Sequence, residues 1–118
     1  MATFSKLPLS ASTNGKQIKV VSTSAGSGTL IHTAVAGTAN WDEVWIYANN
    51  TSGSDVLLTL EWGGTTDPDD RTSVTVEGVS GKLLVIPGLL LQNGLDIDAY
   101  AATTNVIQIS GYVNRITA

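Results

Sequence analysis

A chain of 118 residues with six Lys and Arg against ten Asp and Glu carries a formal charge of −4 and a pI near 4.6, which argues against a phosphate-binding face of clustered cations. With no cysteine it has neither a disulfide framework nor a thiolate metal site. Charged residues make up 14 %, well below the usual quarter, and Thr, Ser, Asn and Gly replace them. Neutral hydroxyls and amides cost less to bury than ions, so this composition fits either an ordinary β domain or a subunit packed against others.

The first 16 residues read as an extended arm. Leu7-Pro8-Leu9 resists helix and central strand, and residues 10–15 have loop composition. Such a segment either frays or orders on a neighbour, with Phe4, Leu7 and Leu9 as anchors. No apolar run here has the length of a signal-peptide core, and none in the chain approaches the ~20 residues of a membrane helix. The expectation is a protein without a membrane partner, made in the cytoplasm.

Residues 17–24 form the first expected strand and residues 29–35, TLIHTAV, the second. Residues 41–64 hold all three tryptophans, Trp41, Trp45 and Trp62. Val44, Ile46 and Ala48 alternate with Trp45 and Tyr47. Val56, Leu58, Leu60 and Trp62 alternate with Leu57, Thr59 and Glu61. The polar run 49–55 between them predicts a β-hairpin with an exposed tip. Its N-glycosylation patterns at Asn49 and Asn50 are read as turn residues.

A loop over 63–70 leads to a strand over 71–77 with one wet face. Residues 82–86, KLLVI, are apolar on both faces, as in a covered strand or one that touches a neighbour; Pro87-Gly88 breaks the run. Leu89 to Leu91 fit either a strand or one helical turn. Residues 95–101 alternate cleanly, and residues 106–113 form the last strand, with Ile107, Ile109 and Val113 inward. About eight short strands without an amphipathic helix read as an all-β, antiparallel, jelly-roll-like sandwich or a partly closed barrel over residues 17–118.

Few residues offer chemistry. His32, the lone histidine, is in phase with Leu30 and Ala34 and has no activated nucleophile beside it, so it reads as a satisfied strand residue. Asp67, Asp69 and Asp70 are a weak calcium candidate, since their spacing lacks an ordered ligand series and Asp-Pro-Asp-Asp is a good turn. Asp96 and Asp98 share a strand face about 6.5–7 Å apart, within glycosidase range, yet edge strands carry such pairs as protection against wrong pairing. The tryptophans could stack on sugars; a covered face or subunit interface through Trp45, Tyr47, Leu84 and Ile86 is the better reading. No catalytic residue, cofactor or enzymatic activity is implied.

The phrases EVWIYANN, LEWGGTT, IPGLLLQNG, YAAT and GYVNRI, running from about Trp41 to Ile116, resemble a group of small β-rich virion proteins of tailed bacteriophages. The resemblance implies a decoration, or cement, protein on the outer surface of the phage head, clamping neighbouring major capsid proteins, commonly as a homotrimer. Two competing readings are a tail or baseplate subunit and a carbohydrate-binding adhesion module.

Overall fold

The computed structural model describes residues 2–118. Nine strands follow in chain order: β1 (Thr3–Pro8), β2 (Ile18–Lys19), β3 (Thr29–Thr33), β4 (Trp41–Asn50), β5 (Val56–Trp62), β6 (Arg71–Val76), β7 (Leu83–Leu91), β8 (Asp96–Ala101) and β9 (Ile107–Thr117). They build two antiparallel sheets. The five-stranded sheet has the order β1-β9-β4-β7, with β2 also paired to β9; the four-stranded sheet has the order β3-β8-β5-β6.

Apart from the two-residue β2, the pairs are nested: β1 with β9, β3 with β8, β4 with β7 and β5 with β6. This is the pairing of a jelly roll, in which a long hairpin folds over into two facing sheets. The sheets do not close into a barrel, so the sandwich is the architecture observed.

The inward side chains follow the period of two read in the sequence. Val44 and Ile46 of β4, Leu58 and Leu60 of β5, Ile97 of β8 and Ile109 of β9 are fully buried between the sheets. Each such side chain contributes about 1.5–3 kcal/mol relative to exposure. Trp62 is half-buried and packs against this core.

Four expectations need correction. The first concerns residues 1–16: residue 1 lies outside the described part, and Thr3–Pro8 is no free arm but the edge strand β1, paired with β9 from Thr3↔Thr117 to Pro8↔Tyr112. Pro8 is tolerated because it ends an edge strand. Second, residues 41–64 are not a hairpin. β4 lies in one sheet and β5 in the other, so residues 51–55 arch between the layers. Third, Pro87-Gly88 does not break the strand after Ile86. β7 runs through both as the outer strand of its sheet, with register shifts that leave Val85 and Gly88 unopposed. Gly88 takes φ 76°, the left-handed value that suits glycine at such a bulge. Leu89 to Leu91 are therefore strand, not helix. Fourth, of the strand expected over 17–24, only Ile18–Lys19 pairs.

Candidate interaction face and charged clusters

The five-stranded sheet buries Val44, Ile46 and Ala48 of β4, so Trp41, Glu43, Trp45 and Tyr47 point to its outer face. Register extends that face across the sheet. Phe4, Ile116 and Trp41 form one cross-strand row, and Pro8, Tyr112 and Trp45 another. Leu90 stands opposite Glu43, and Leu84 opposite Tyr47. Phe4 is 71 % exposed, Trp41 40 %, Leu84 43 % and Leu90 49 %.

Towards the Trp41 end of this face the polar groups are already engaged, whereas at its other end Asn49 Oδ1 and Gln108 Oε1, in register across β4 and β9, are buried without a hydrogen-bond partner among the described residues. Glu43 Oε1 accepts from Trp45 Nε1 and from Asn114 Nδ2, both at 2.9 Å. Those two bonds, Asn114 first, hold the Glu43 carboxyl below its usual range. Lys6 Nζ lies 4.8 Å from the centre of the Tyr112 ring, a cation–π contact. Tyr112 and Trp45 are near-parallel, with ring centroids 6.0 Å apart. Covering the part of the face around Trp41, Glu43 and Trp45 with another protein strands few hydrogen-bonding groups.

The outer face of the four-stranded sheet is different. There Glu61, Asp96, Asp98 and Arg71 stand among Thr59, Ser73 and Tyr100. Burial, then the charges of Asp96 and Glu61, raises the Asp98 carboxyl above its usual range. The sandwich thus has an acidic side and an apolar one.

The interface residues expected from sequence divide accordingly. Phe4, Trp45, Tyr47 and Leu84 lie on the apolar outer face. Leu9 and Ile86 do not: they are 0 % and 3 % exposed, in the core. Leu7 pairs with Val113 and packs against the core as well. The assignment of Leu7 and Leu9 fails because residues 3–8 pair within the chain and turn both inward, and that of Ile86 fails because it stands opposite the inward-facing Ile46. Trp41, Tyr112, Ile116 and Leu90 belong to the face and were missed. Their signal is alternation counted across β4, β7 and β9 jointly, which requires knowing that those strands are neighbours.

His32 is satisfied as expected, but within a network whose members sequence does not connect. Its Nε2–H donates to Asp42 Oδ2 at 2.8 Å, and its Nδ1 accepts the Ser10 backbone N–H at 3.0 Å. Asp42, 0 % exposed, also accepts from Arg115 Nε at 2.8 Å and Nη2 at 3.0 Å, and from the Val35 N–H at 3.1 Å. Burial raises the Asp42 carboxyl, but the bonds from Arg115 and His32 outweigh it and hold it below its usual range. The bond to Asp42 leads the causes that raise the Arg115 pKa. A Ser, a His and an Asp meet here without triad geometry. The acceptor nitrogen of His32 is taken by a backbone N–H, and the Ser10 hydroxyl accepts from the Thr33 N–H at 2.7 Å. The network ties the end of β1, β3, β4 and β9 together.

The loop of Asp67, Asp69 and Asp70 satisfies itself. Asp70 Oδ2 accepts the Thr66 N–H at 3.1 Å, and Asp67 pairs with Arg71 at 3.1 Å. No three His or carboxylate groups among the described residues converge to hold a metal ion, so the calcium reading of this loop gains no support.

Known protein families, curated proteins and solved structures were compared with the chain, and none matches.

Proposed function

We propose that this protein is a structural virion subunit, a decoration protein that binds the outside of a phage head and bridges neighbouring major capsid proteins. The observation that carries the proposal is the outer face of the five-stranded sheet, where Phe4, Trp41, Leu84 and Leu90 are exposed and Glu43, Trp45 and Asn114 are bonded to one another. The resemblance of the segments between about Trp41 and Ile116 to small phage virion proteins supplies the biological setting. A jelly roll is common in capsid and lectin domains, which is compatible with the role but does not assign it.

In this reading the apolar face docks and the acidic face looks outward. β4, with ten residues, gives the docking face a length of about 33 Å, and four strands give it a width of about 14 Å. That projected area falls short of the roughly 800 Å² per partner of a stable interface. The contact therefore extends onto the β7 edge, where Leu83 and Leu89 are 37 % and 49 % exposed. A homotrimer would place this edge between copies and the flat face on the capsid.

The test compares heads assembled with and without the protein. Decorated heads should survive heat and low salt that disrupt bare ones; equal survival would refute cementing. Labelled antibody on whole virions distinguishes a head subunit from a tail or baseplate subunit. The stacked Trp45–Tyr112 pair favours a second reading, glycan binding, which a glycan array would reveal as binding lost on Trp45→Ala.

A further inference from the structure

Of the strands at the ends of the two sheets, β1, β3 and β7 carry features that discourage pairing with another chain. β1 presents Lys6 and ends in Pro8, β3 is bulged between Leu30 and His32, and β7 contains Pro87 and shifts its register. β6 carries none of these. Its register with β5 is unbroken from Arg71 to Val76, it contains neither Pro, Gly nor Lys, and Thr72, Ser73 and Thr75 are exposed.

The direction of the β6 backbone follows from one bond. The Trp62 N–H donates to the Asp70 carbonyl at 2.7 Å, so residues 70, 72, 74 and 76 turn their backbone groups towards β5 in the alternation of an antiparallel ladder. Ser73 and Thr75 turn theirs outward, where no strand of the described residues receives them. The Arg71 carbonyl and the Glu77 N–H extend this open row. Their companions are occupied: the Arg71 N–H donates to the Pro68 carbonyl at 3.2 Å, and the Glu77 carbonyl accepts from the Ser80 hydroxyl at 3.1 Å.

We infer that β6 pairs antiparallel with β6 of a second copy of this chain, across a two-fold axis at Val74. That register sets Ser73 opposite Thr75 of the second copy, so their free N–H and C=O groups bond one another. It also sets the free Arg71 carbonyl opposite the free Glu77 N–H. Moving the axis one residue, to Ser73 or Thr75, sets a free group against an occupied one. The side chains agree with the choice. Arg71 and Glu77 of the second copy stand opposite each other on the outer face, at both ends of the seam, and no like charges meet across it. Arg71, 3.8 Å from Glu61 within its own chain, then lies between two carboxylates. The pairing joins the two four-stranded sheets into one. It does not rest on the virion reading, and it is an alternative to three-fold closure through β7.

A short seam belongs among the weaker interfaces, so the experiment is sedimentation of the full-length chain from about 1 µM to about 1 mM. A monomer–dimer equilibrium is expected. Thr75→Pro removes an outward N–H that β5 does not use, so the chain should fold, as its melting curve would verify, while the dimer is lost. Glu77→Lys sets like charges opposite at both ends of the seam and should weaken dimerisation about tenfold or more. Glu77 is exposed, so this variant decides the matter if Thr75→Pro does not fold. Leu84→Glu, on the outer face of the other sheet, should leave the dimer unchanged. A monomer throughout that range, a trimer, or a dimer that Glu77→Lys leaves intact would overturn the pairing. A dimer lost only in Leu84→Glu would place the contact on the five-stranded sheet and equally overturn it.

Discussion

Arg115 grips Asp42 with two parallel hydrogen bonds, 2.8 and 3.0 Å long, and so fastens the last strand to the start of β4 across 73 residues. Asp42 has no exposed surface, while the Arg115 side chain is 30 % exposed. Removing the guanidinium leaves a buried carboxylate facing only His32 and a backbone amide. Loss of one partner of a buried pair costs about 3–5 kcal/mol, and partial exposure of Arg115 puts this case near the lower value. Arg115→Met should therefore lower stability by about 3 kcal/mol in denaturant titration. The double variant Arg115→Met with Asp42→Leu should be less destabilised than the sum of its single changes.

The same carboxylate sets one arm of the acid response. The Asp42 pKa is lowered in the folded state, so its contribution is fully present above the unfolded value near 3.9 and fades as pH falls through the folded value below it. Asp98 has the opposite sign. Its folded pKa is raised, so it detracts from stability above that value and ceases to do so once protonated. Asp98→Asn should melt above the parent at neutral pH, with the gap closing towards pH 3. A gap that is constant with pH would mean that Asp98 carries no raised pKa.

Docking through the apolar face separates stability from assembly. Trp41→Glu and Leu84→Glu replace exposed side chains on that face, whereas Leu57, 49 % exposed, lies on β5 of the other sheet. All three variants should fold, with stability changes within about 1 kcal/mol. Co-sedimentation with undecorated heads should be lost for the first two and retained for Leu57→Glu. Retention by all three would show that the face does not dock.

How much of this was legible beforehand depends on range. Alternation along β4 correctly assigned Val44, Ile46 and Ala48 to the core and Trp45 and Tyr47 to the outside, because side-chain parity is a property of a single strand. Pairing is not. Residues 49–55 have the chemistry of a hairpin turn, and the same residues suit an arch between sheets, so local composition could not distinguish them. Pro87 looked terminal because proline is excluded from central strands, yet β7 is an outer strand. The Ser10–His32–Asp42–Arg115 network is invisible in sequence, since its partners meet only after β1, β3, β4 and β9 have assembled.

The arch itself offers the sharpest local test. Asn50, 2 % exposed, donates through Nδ2 to the carbonyls of Ser54 at 2.7 Å and Val76 at 3.0 Å, while its Oδ1 accepts from the N–H and hydroxyl of Ser52. Its backbone meets the turn after β6, where the Asn50 carbonyl accepts the Val79 N–H at 2.9 Å. One buried amide thus holds the crossing between sheets to the end of β6. Asn50→Asp keeps the acceptor but loses both donors and places a charge against two carbonyls; Asn50→Ala leaves the same carbonyls unpaired. Each stranded buried group costs about 1–3 kcal/mol, so Asn50→Ala should cost about 2–4 kcal/mol and Asn50→Asp more at neutral pH. Asn50→Asp should regain part of its stability on acidification, as the carboxyl protonates and donates one bond back. Equal losses in the two variants at every pH would mean that the amide hydrogens do not hold the arch.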